Sequence, residues 1–285
     1  MKRMIFTGAL ALVAGVSSLV AQQAPPKAPA PAVSNAERAA LQALFGATRT
    51  GPDAVIKAAE DLLTKFADTS FKDVALLSEA QAYQQKRDYD KAQIYAERAL
   101  EANPKNFQAT LMLSEVLAQN TRENDLDKEE KLSKSEKLAN DTIQLVKSAL
   151  KPNPQLSDQQ WEDVKKDLTA EAHSALGMSA LVRKKYDVAA TEFKTAADGS
   201  APPEPAYQVR EASALQMGGK NDEAIAICDK VMADQQVLPQ VRQVAQAIRA
   251  TAIKAGGKNT TPPAAPAAPA APAAPAPPPP AEKKQ

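Results

Sequence analysis

Between Asp73 and Asn106 the apolar residues fall three and four apart in two successive runs: Leu76, Leu77, Ala80 and Tyr83, then Ala92, Tyr95, Ala96, Ala99 and Leu100. Each run lays one apolar face along a helix. The polar break between them, Arg87-Asp88-Tyr89-Asp90, has turn and cap chemistry, and Asp90 is placed to accept from the first free amides of the second helix. Asn103-Pro104 closes the unit. Small Ala80 and Ala92 let the two helices approach closely, and Tyr83, Tyr89 and Tyr95 supply bulk for the remaining space. The pattern predicts an antiparallel helix pair.

The unit recurs. Thirty-four residues before Ala80, Ala92 and Leu100 stand Gly46, Ala58 and Phe66, again small, small and large, and the same step forward from Ala80 and Tyr83 reaches Ser114 and Leu117. A step of 97 carries Tyr89-Asp90-Lys91-Ala92 onto Tyr186-Asp187-Val188-Ala189, Ala80 onto Gly177 and Ala99 onto Ala196. A further 35 carries Gly177, Ala189 and Phe193 onto Ala212, Ala224 and Cys228. Five pairs are therefore expected, starting near residues 39, 73, 107, 170 and 205, with an eleventh helix from Pro239 to about Ala255. Ser34 can cap the first helix, and Pro52 suits the first turn of the second.

The third pair carries about 29 residues more than the repeat needs. They comprise a charged stretch from Arg122 to Lys131, an apolar stripe through Leu132, Leu138, Ile143, Leu145, Val146 and Leu150, and a second stripe through Trp161, Val164, Leu168, Ala172 and Leu176. Lys151-Pro152-Asn153-Pro154 breaks the chain between the stripes. The second stripe lengthens the first helix of the fourth pair toward its N-terminus, so two helices longer than the repeat requires, with the extension near 121–168, are expected to project as an antiparallel pair from one edge of the stack. The charge run reads as a solvated helix face and turn, or alternatively as an arm that docks a partner.

The residues Ala80-x2-Tyr83, Asp88-Tyr89-Asp90-x-Ala92, Ala99-Leu100-Glu101 and Pro104 resemble the 34-residue pattern of the tetratricopeptide repeat family. The resemblance implies an all-α, right-handed superhelical α-solenoid of about five helix pairs plus a C-terminal capping helix, residues 36–257. It also implies that the first helices of successive pairs line a concave groove that takes a protein or peptide partner. Carried onto this chain, the groove residues are Leu77, Gln81, Gln84, Gln85, Leu111, Glu115, Gln119, Ser174, Met178, Leu181, Val209, Ser213 and Gln216. The Lys/Asn/Arg set with which some members clamp a terminal carboxylate is missing from these positions. A neutral lining of Leu, Met and Gln implies an extended or helical peptide held by adaptable apolar contacts and amide hydrogen bonds. The alternative is that Leu111, Met178 and Leu181 pack against their own neighbours.

Outside the repeats, Lys2 and Arg3 precede an uncharged apolar run from Ile5 to Val20 and small Ala21, the pattern of a secretory signal peptide over residues 1–21, with an uncleaved anchor as the alternative. The run falls short of the roughly 20 apolar residues of a membrane span, and no Cys near Ala21 offers a lipid attachment point. A Pro/Ala linker over 22–35 and an Ala/Pro tail over 258–285 are too poor in bulky residues to build a core, and the tail reads as a disordered spacer, tether or ligand for a proline-recognising module. Export leaves 33 Lys plus Arg against 34 Asp plus Glu, no basic excess for nucleic acid or an anionic membrane. The single Cys228 excludes an internal disulfide and reads as a buried structural thiol.

Catalytic chemistry finds little footing. His173 is the only histidine, in a slot where a packed imidazole is expected, and one His with one Cys does not make a zinc site. Gly218-Gly219-Lys220 lacks the spaced glycine before it and the Ser/Thr after it that a phosphate loop needs, and fits a helix-to-helix turn. The expectation is a protein that is not an enzyme and needs no cofactor: a binding scaffold of the bacterial cell envelope, periplasmic or secreted, without a transmembrane segment once the signal is removed. The bacterial assignment leans on the resemblance, since exported tetratricopeptide proteins are mostly bacterial. The alternative is a structural protein that assembles homotypically through its helices and is tethered by its tail.

Overall fold

The computed structural model describes residues 33–258. The expected signal peptide, nearly all of the Pro/Ala linker and the Ala/Pro tail lie outside the described residues. All eleven elements of regular structure among the described residues are helices: α1 (Asn35–Ala47), α2 (Pro52–Lys65), α3 (Lys72–Gln85), α4 (Tyr89–Ala102), α5 (Phe107–Asn120), α6 (Lys128–Ser148), α7 (Asp158–Val182), α8 (Tyr186–Gly199), α9 (Pro205–Met217), α10 (Asn221–Ala233) and α11 (Pro239–Lys254). Each packs on the next, and α5 also packs on α3 and α7, and α9 on α11, in an α-solenoid. Among the described residues no helix is long and apolar enough to cross a membrane.

One turn recurs along the stack. Arg87, Lys184, Gly219 and Gly256 adopt φ of 60, 60, 80 and 97° just past α3, α7, α9 and α11. The amide that follows each reaches back over the helix end: Asp88 to the Tyr83 carbonyl (2.9 Å), Lys185 to Ala180 (2.9 Å), Lys220 to Leu215 (2.8 Å) and Gly257 to Ala252 (3.0 Å). This left-handed closure satisfies carbonyls that the helix leaves free, and it accounts for Gly218-Gly219-Lys220 as a turn. At the end of α5, Thr121 is extended instead, and seven residues, 121–127, lead into α6. The extra residues of the third pair begin at this lost turn.

Caps follow the sequence with one correction. Ser34 Oγ accepts from the Glu37 amide at 3.1 Å, and Pro52 opens α2. The cap of α4 is Asp88, whose side chain accepts from the Lys91 amide at 3.2 Å, because α4 already begins at Tyr89 and places the expected cap Asp90 inside the first turn. Within the second pair the Tyr83 and Tyr95 rings stack at 5.2 Å, and Ala80 and Ala92 are fully buried.

The pairs begin at residues 35, 72, 107 and 205, and α7, the helix expected to be lengthened toward its N-terminus, runs unbroken for 25 residues from Asp158. Its start is a capping box: Ser157 accepts from the Gln160 amide, and the Gln160 side chain accepts from the Ser157 amide. The 21-residue α6 is also longer than the repeat, yet much of it does not project. Its Leu138 and Leu145 lie over the junction of α4 and α5, lining an open cleft of about 400 Å³ with Leu100, Pro104 and Thr110. Nor is the charge run simply solvated. Arg183, past the end of α7, donates from Nε to Glu129 (2.7 Å), and also binds Glu136 and Ser133 of α6.

Two large apolar cores occupy the ends of the stack, one from α1 to α5 and one from the end of α7 to α11. Where α5, α6 and α7 meet, the packing is small and polar: Ala139, Ala172 and Ala175, beside buried Ser114, Ser135 and Ser179. Ser135 Oγ donates to the Ser114 carbonyl (2.8 Å) and lies 3.1 Å from Ser179 Oγ. Side chains of this size allow three helices to converge, and hydrogen bonds between them offset the burial of the hydroxyls.

Candidate concave binding face

The repeat steps place Leu77, Leu111, Ser174 and Val209 at one position of the pattern, and all four are buried, at 5, 4, 3 and 6% exposure. Leu77 belongs to the N-terminal core, Val209 to the C-terminal core, and Leu111 packs with Ala139, Ala172 and Ala175. This position therefore serves packing between helices of the stack. One helical turn further, Gln81, Glu115, Met178 and Ser213 also share a position, and each reaches solvent. Gln85 and Gln119 are exposed, while Gln84, Leu181 and Gln216 are half-buried at the rim of the same stripe. Met178 and Leu181 both pack partly against the C-terminal core. The open lining is thus narrower and less apolar than the Leu/Met/Gln set read from the sequence. Glutamines line it on α3 and at the end of α5, and its middle carries charge.

That middle is built by three helices. Glu115 of α5 feels the charges of Glu171 of α7 and Arg210 of α9, and Tyr207 of α9 feels both glutamates. Arg210 Nη1 donates to Ser174 Oγ and lies 3.8 Å from Met178 Sδ, so it reaches across to α7. Its guanidinium carbon stands 5.9 Å from the centre of the Tyr207 ring. Glu115 and Glu171 make no hydrogen bond or ion pair with another described residue. Burial pushes the Glu115 carboxyl up to about 8, with the Glu171 charge adding and Arg210 opposing. Burial likewise lifts Glu171 to about 7, helped by Asp167. Tyr207 is raised by burial and then by the same two glutamates. Glu115 keeps some accessible surface while protein surrounds it on most sides, the situation of a group on the floor of a concavity.

The remaining candidates fall elsewhere. His173 Nδ1 pairs with Glu192 of α8 at 2.7 Å. Cys228 is fully buried, and burial pushes its thiol up to about 11, away from the reactive thiolate. A third buried carboxyl, Glu79 of α3, is 1% exposed with Oε2 unpartnered. Burial and the Glu60 charge push it up to about 7, with Arg98 opposing. Among the described residues no group of three or more His, Cys, Asp or Glu is arranged to hold a metal.

Residues 77–132 match the tetratricopeptide repeat family model. The stretch from α3 to the start of α6 thus matches tetratricopeptide repeats. A crystal structure of a thermophilic tetratricopeptide repeat protein from Thermus thermophilus has the same fold, with a TM-score of 0.50 over 75% of this chain and 97% of that one at 16% identity. No curated protein matches the chain significantly. A tetratricopeptide repeat fold suggests a scaffold for protein–protein interaction, which makes the solvent-open stripe of α3, α5, α7 and α9 the first place to seek a partner.

Proposed function

We propose that this protein is a non-enzymatic scaffold of the bacterial cell envelope that holds a protein or peptide segment along its concave face. The observation that carries the reading is the shared position of Gln81, Glu115, Met178 and Ser213: one residue from each of four odd-numbered helices, all open to solvent on a stack whose neighbouring position is sealed. Such a row suits an extended ligand, which meets glutamine amides at one end and charged groups in the middle. The imidazole of His173 is engaged by Glu192 and the thiol of Cys228 is buried, which supports binding over catalysis. Export rests on Lys2, Arg3, the apolar run from Ile5 to Val20 and Ala21. The protein then works in the periplasm or outside the cell, with its Ala/Pro tail as spacer.

Light scattering of the full-length mature protein, followed by affinity capture from envelope extract, tests the reading. The expected result is a monomer that captures a defined partner, with capture weakened when Gln81 and Gln119 are changed to Glu. A concentration-dependent oligomer whose assembly blocks capture would favour the homotypic structural role instead.

A further inference from the structure

Glu79 is sealed into a core of small and apolar side chains, among them Ala75, Leu76, Ala80 and Tyr83 of its own helix. It is 1% exposed, and Oε2 has no hydrogen-bond partner. A carboxylate shut away from water without a partner is costly, and a neutral carboxyl far less so. The helix pair holds a cation in reserve. Helices α3 and α4 run antiparallel across the three residues 86–88, and the Tyr83 ring stacked on Tyr95 at 5.2 Å fixes their register. One turn back along α3 from Tyr83 stands Glu79, and one turn on along α4 from Tyr95 stands Arg98, so the two meet on the same side of the stacked rings. Arg98 is exposed and makes no ion pair with another described residue; its guanidinium carbon lies 5.1 Å from the centre of the Tyr95 ring. Lys91, by contrast, stands 5.0 Å from the Tyr83 ring and is already paired with Asp88.

We infer that Glu79 and Arg98 form a pH-operated latch between α3 and α4: while Glu79 is neutral Arg98 rests on Tyr95, and when Glu79 gives its proton to solvent the guanidinium swings off the ring and pairs with it. A sealed carboxylate holds a guanidinium more strongly than a ring face does. The other groups facing Glu79 decide where the exchange falls. Glu60, exposed on α2, opposes ionisation and Arg98 favours it, and burial with the Glu60 charge lifts the carboxyl to about 7. The Tyr95 hydroxyl is itself pushed up by burial and stays neutral there. Tyr83 lies on the same helix as Glu79, and Glu115, the one titratable side chain of α5, feels Glu171 and Arg210 instead. The seating of α3 on α4 thus changes near neutral pH, whichever face of the stack holds a partner.

The test follows the full chain by nuclear magnetic resonance from about pH 5 to about pH 9, reading the Glu79 carboxyl carbon, the Arg98 Nε–H group and the Tyr95 ring. The three are expected to move together with one midpoint near neutral pH, and the Arg98 side-chain protons should lose the ring-current shift of Tyr95 as the pH rises. In Glu79→Gln, which keeps the shape of the neutral form, Arg98 and Tyr95 should hold their low-pH pattern throughout. Arg98→Gln should raise the Glu79 midpoint by about one pH unit, because the charge that favours ionisation is gone. Arg98 resonances that stay still while Glu79 titrates, or that move equally in Glu79→Gln, would overturn the latch. A Glu79 carboxyl that does not titrate within the range, whether ionised or neutral throughout, would overturn it too.

Discussion

The Phe193 ring of α8 stands against the backbone of Gly177 in α7, with its nearest carbon 2.8 Å from where a Cβ would lie. The repeat step that carries Ala80 and Ala92 onto Gly177 and Ala189 would set Ala189 opposite this glycine. The ring takes that space instead, and Phe193 is itself fully buried, so it has nowhere to retreat.

Gly177→Ala should therefore destabilise by about 1–3 kcal/mol, and Gly177→Leu by more, since the helices themselves must part. Denaturant melts of Gly177→Ala in the wild-type and Phe193→Leu backgrounds check the pairing. The penalty should shrink beside the smaller side chain, and a penalty unchanged by Phe193→Leu would mean that the ring is not what Gly177 accommodates.

The recurring left-handed turn offers a change in the other direction. Arg87 and Lys184 occupy φ of 60°, where Gly219 and Gly256 serve the equivalent turns. Arg87→Gly should stabilise by about 0.5–1 kcal/mol, by removing a Cβ from a conformation that disfavours it. Thermal melts read this directly, and a loss of stability would show that the long side chain contributes more than its backbone costs.

Leu77 and Leu111 decide between lining and core. Both are buried, so Leu77→Ala and Leu111→Ala should each cost about 2–5 kcal/mol, whereas Gln81→Ala and Gln119→Ala should stay within about 0.5 kcal/mol. Urea midpoints of the four single variants separate the two positions. Leucine variants as stable as the glutamine variants would return Leu77 and Leu111 to the open groove.

Much of the fold was legible because its signal is local and repeated. Small residues at Ala80, Gly177 and Ala212 mark the same crossing, and Tyr89-Asp90 and Tyr186-Asp187 open equivalent helices. The floor of the concave face was less so. Leu77 and Gln81 lie on adjacent turns of one helix, and periodicity alone does not say which turn a helix with several neighbours gives to its stack. Glu115 was singled out from the repeat register, but Glu171 and Arg210 were not. The three residues are 56 and then 39 residues apart, and each looks like an ordinary surface charge in its own helix. A signal was present: the repeat steps put Glu171 where α3 and α5 carry Val74 and Gln108, so at that position a carboxylate appears only on α7. The long helices were legible as apolar stripes, but the clamp of Arg183 on Glu129 and Glu136 spans about 50 residues and needs the folded chain to be seen.

The buried glutamates set a pH dependence. An unfolded glutamate ionises near 4.5, whereas Glu79 and Glu171 hold their protons to about 7 and Glu115 to about 8. Across that window the folded chain binds more protons than the unfolded one, so these groups make stability fall as pH rises and restore it as pH drops. The Tm should rise when the pH is lowered from about 9 to about 6. Glu115→Gln should raise Tm most at the alkaline end and flatten the slope. A Tm that climbs from neutral to alkaline pH would mean that these carboxyls are not held protonated by the fold.

Photo-crosslinking tests the concave face as the partner surface most directly. A crosslinking residue is placed at Gln81, Gln85 or Gln119 on the open stripe, and in parallel at Ile94 or Val188, which are exposed on α4 and α8. Each full-length variant is then irradiated in envelope extract from its source. One adduct of the same mass from all three glutamine positions, and none from Ile94 or Val188, is the result expected of a scaffold that holds its partner along the odd-numbered helices. An adduct formed only from Ile94 or Val188 would contradict the account and move the interaction to the outer surface of the stack.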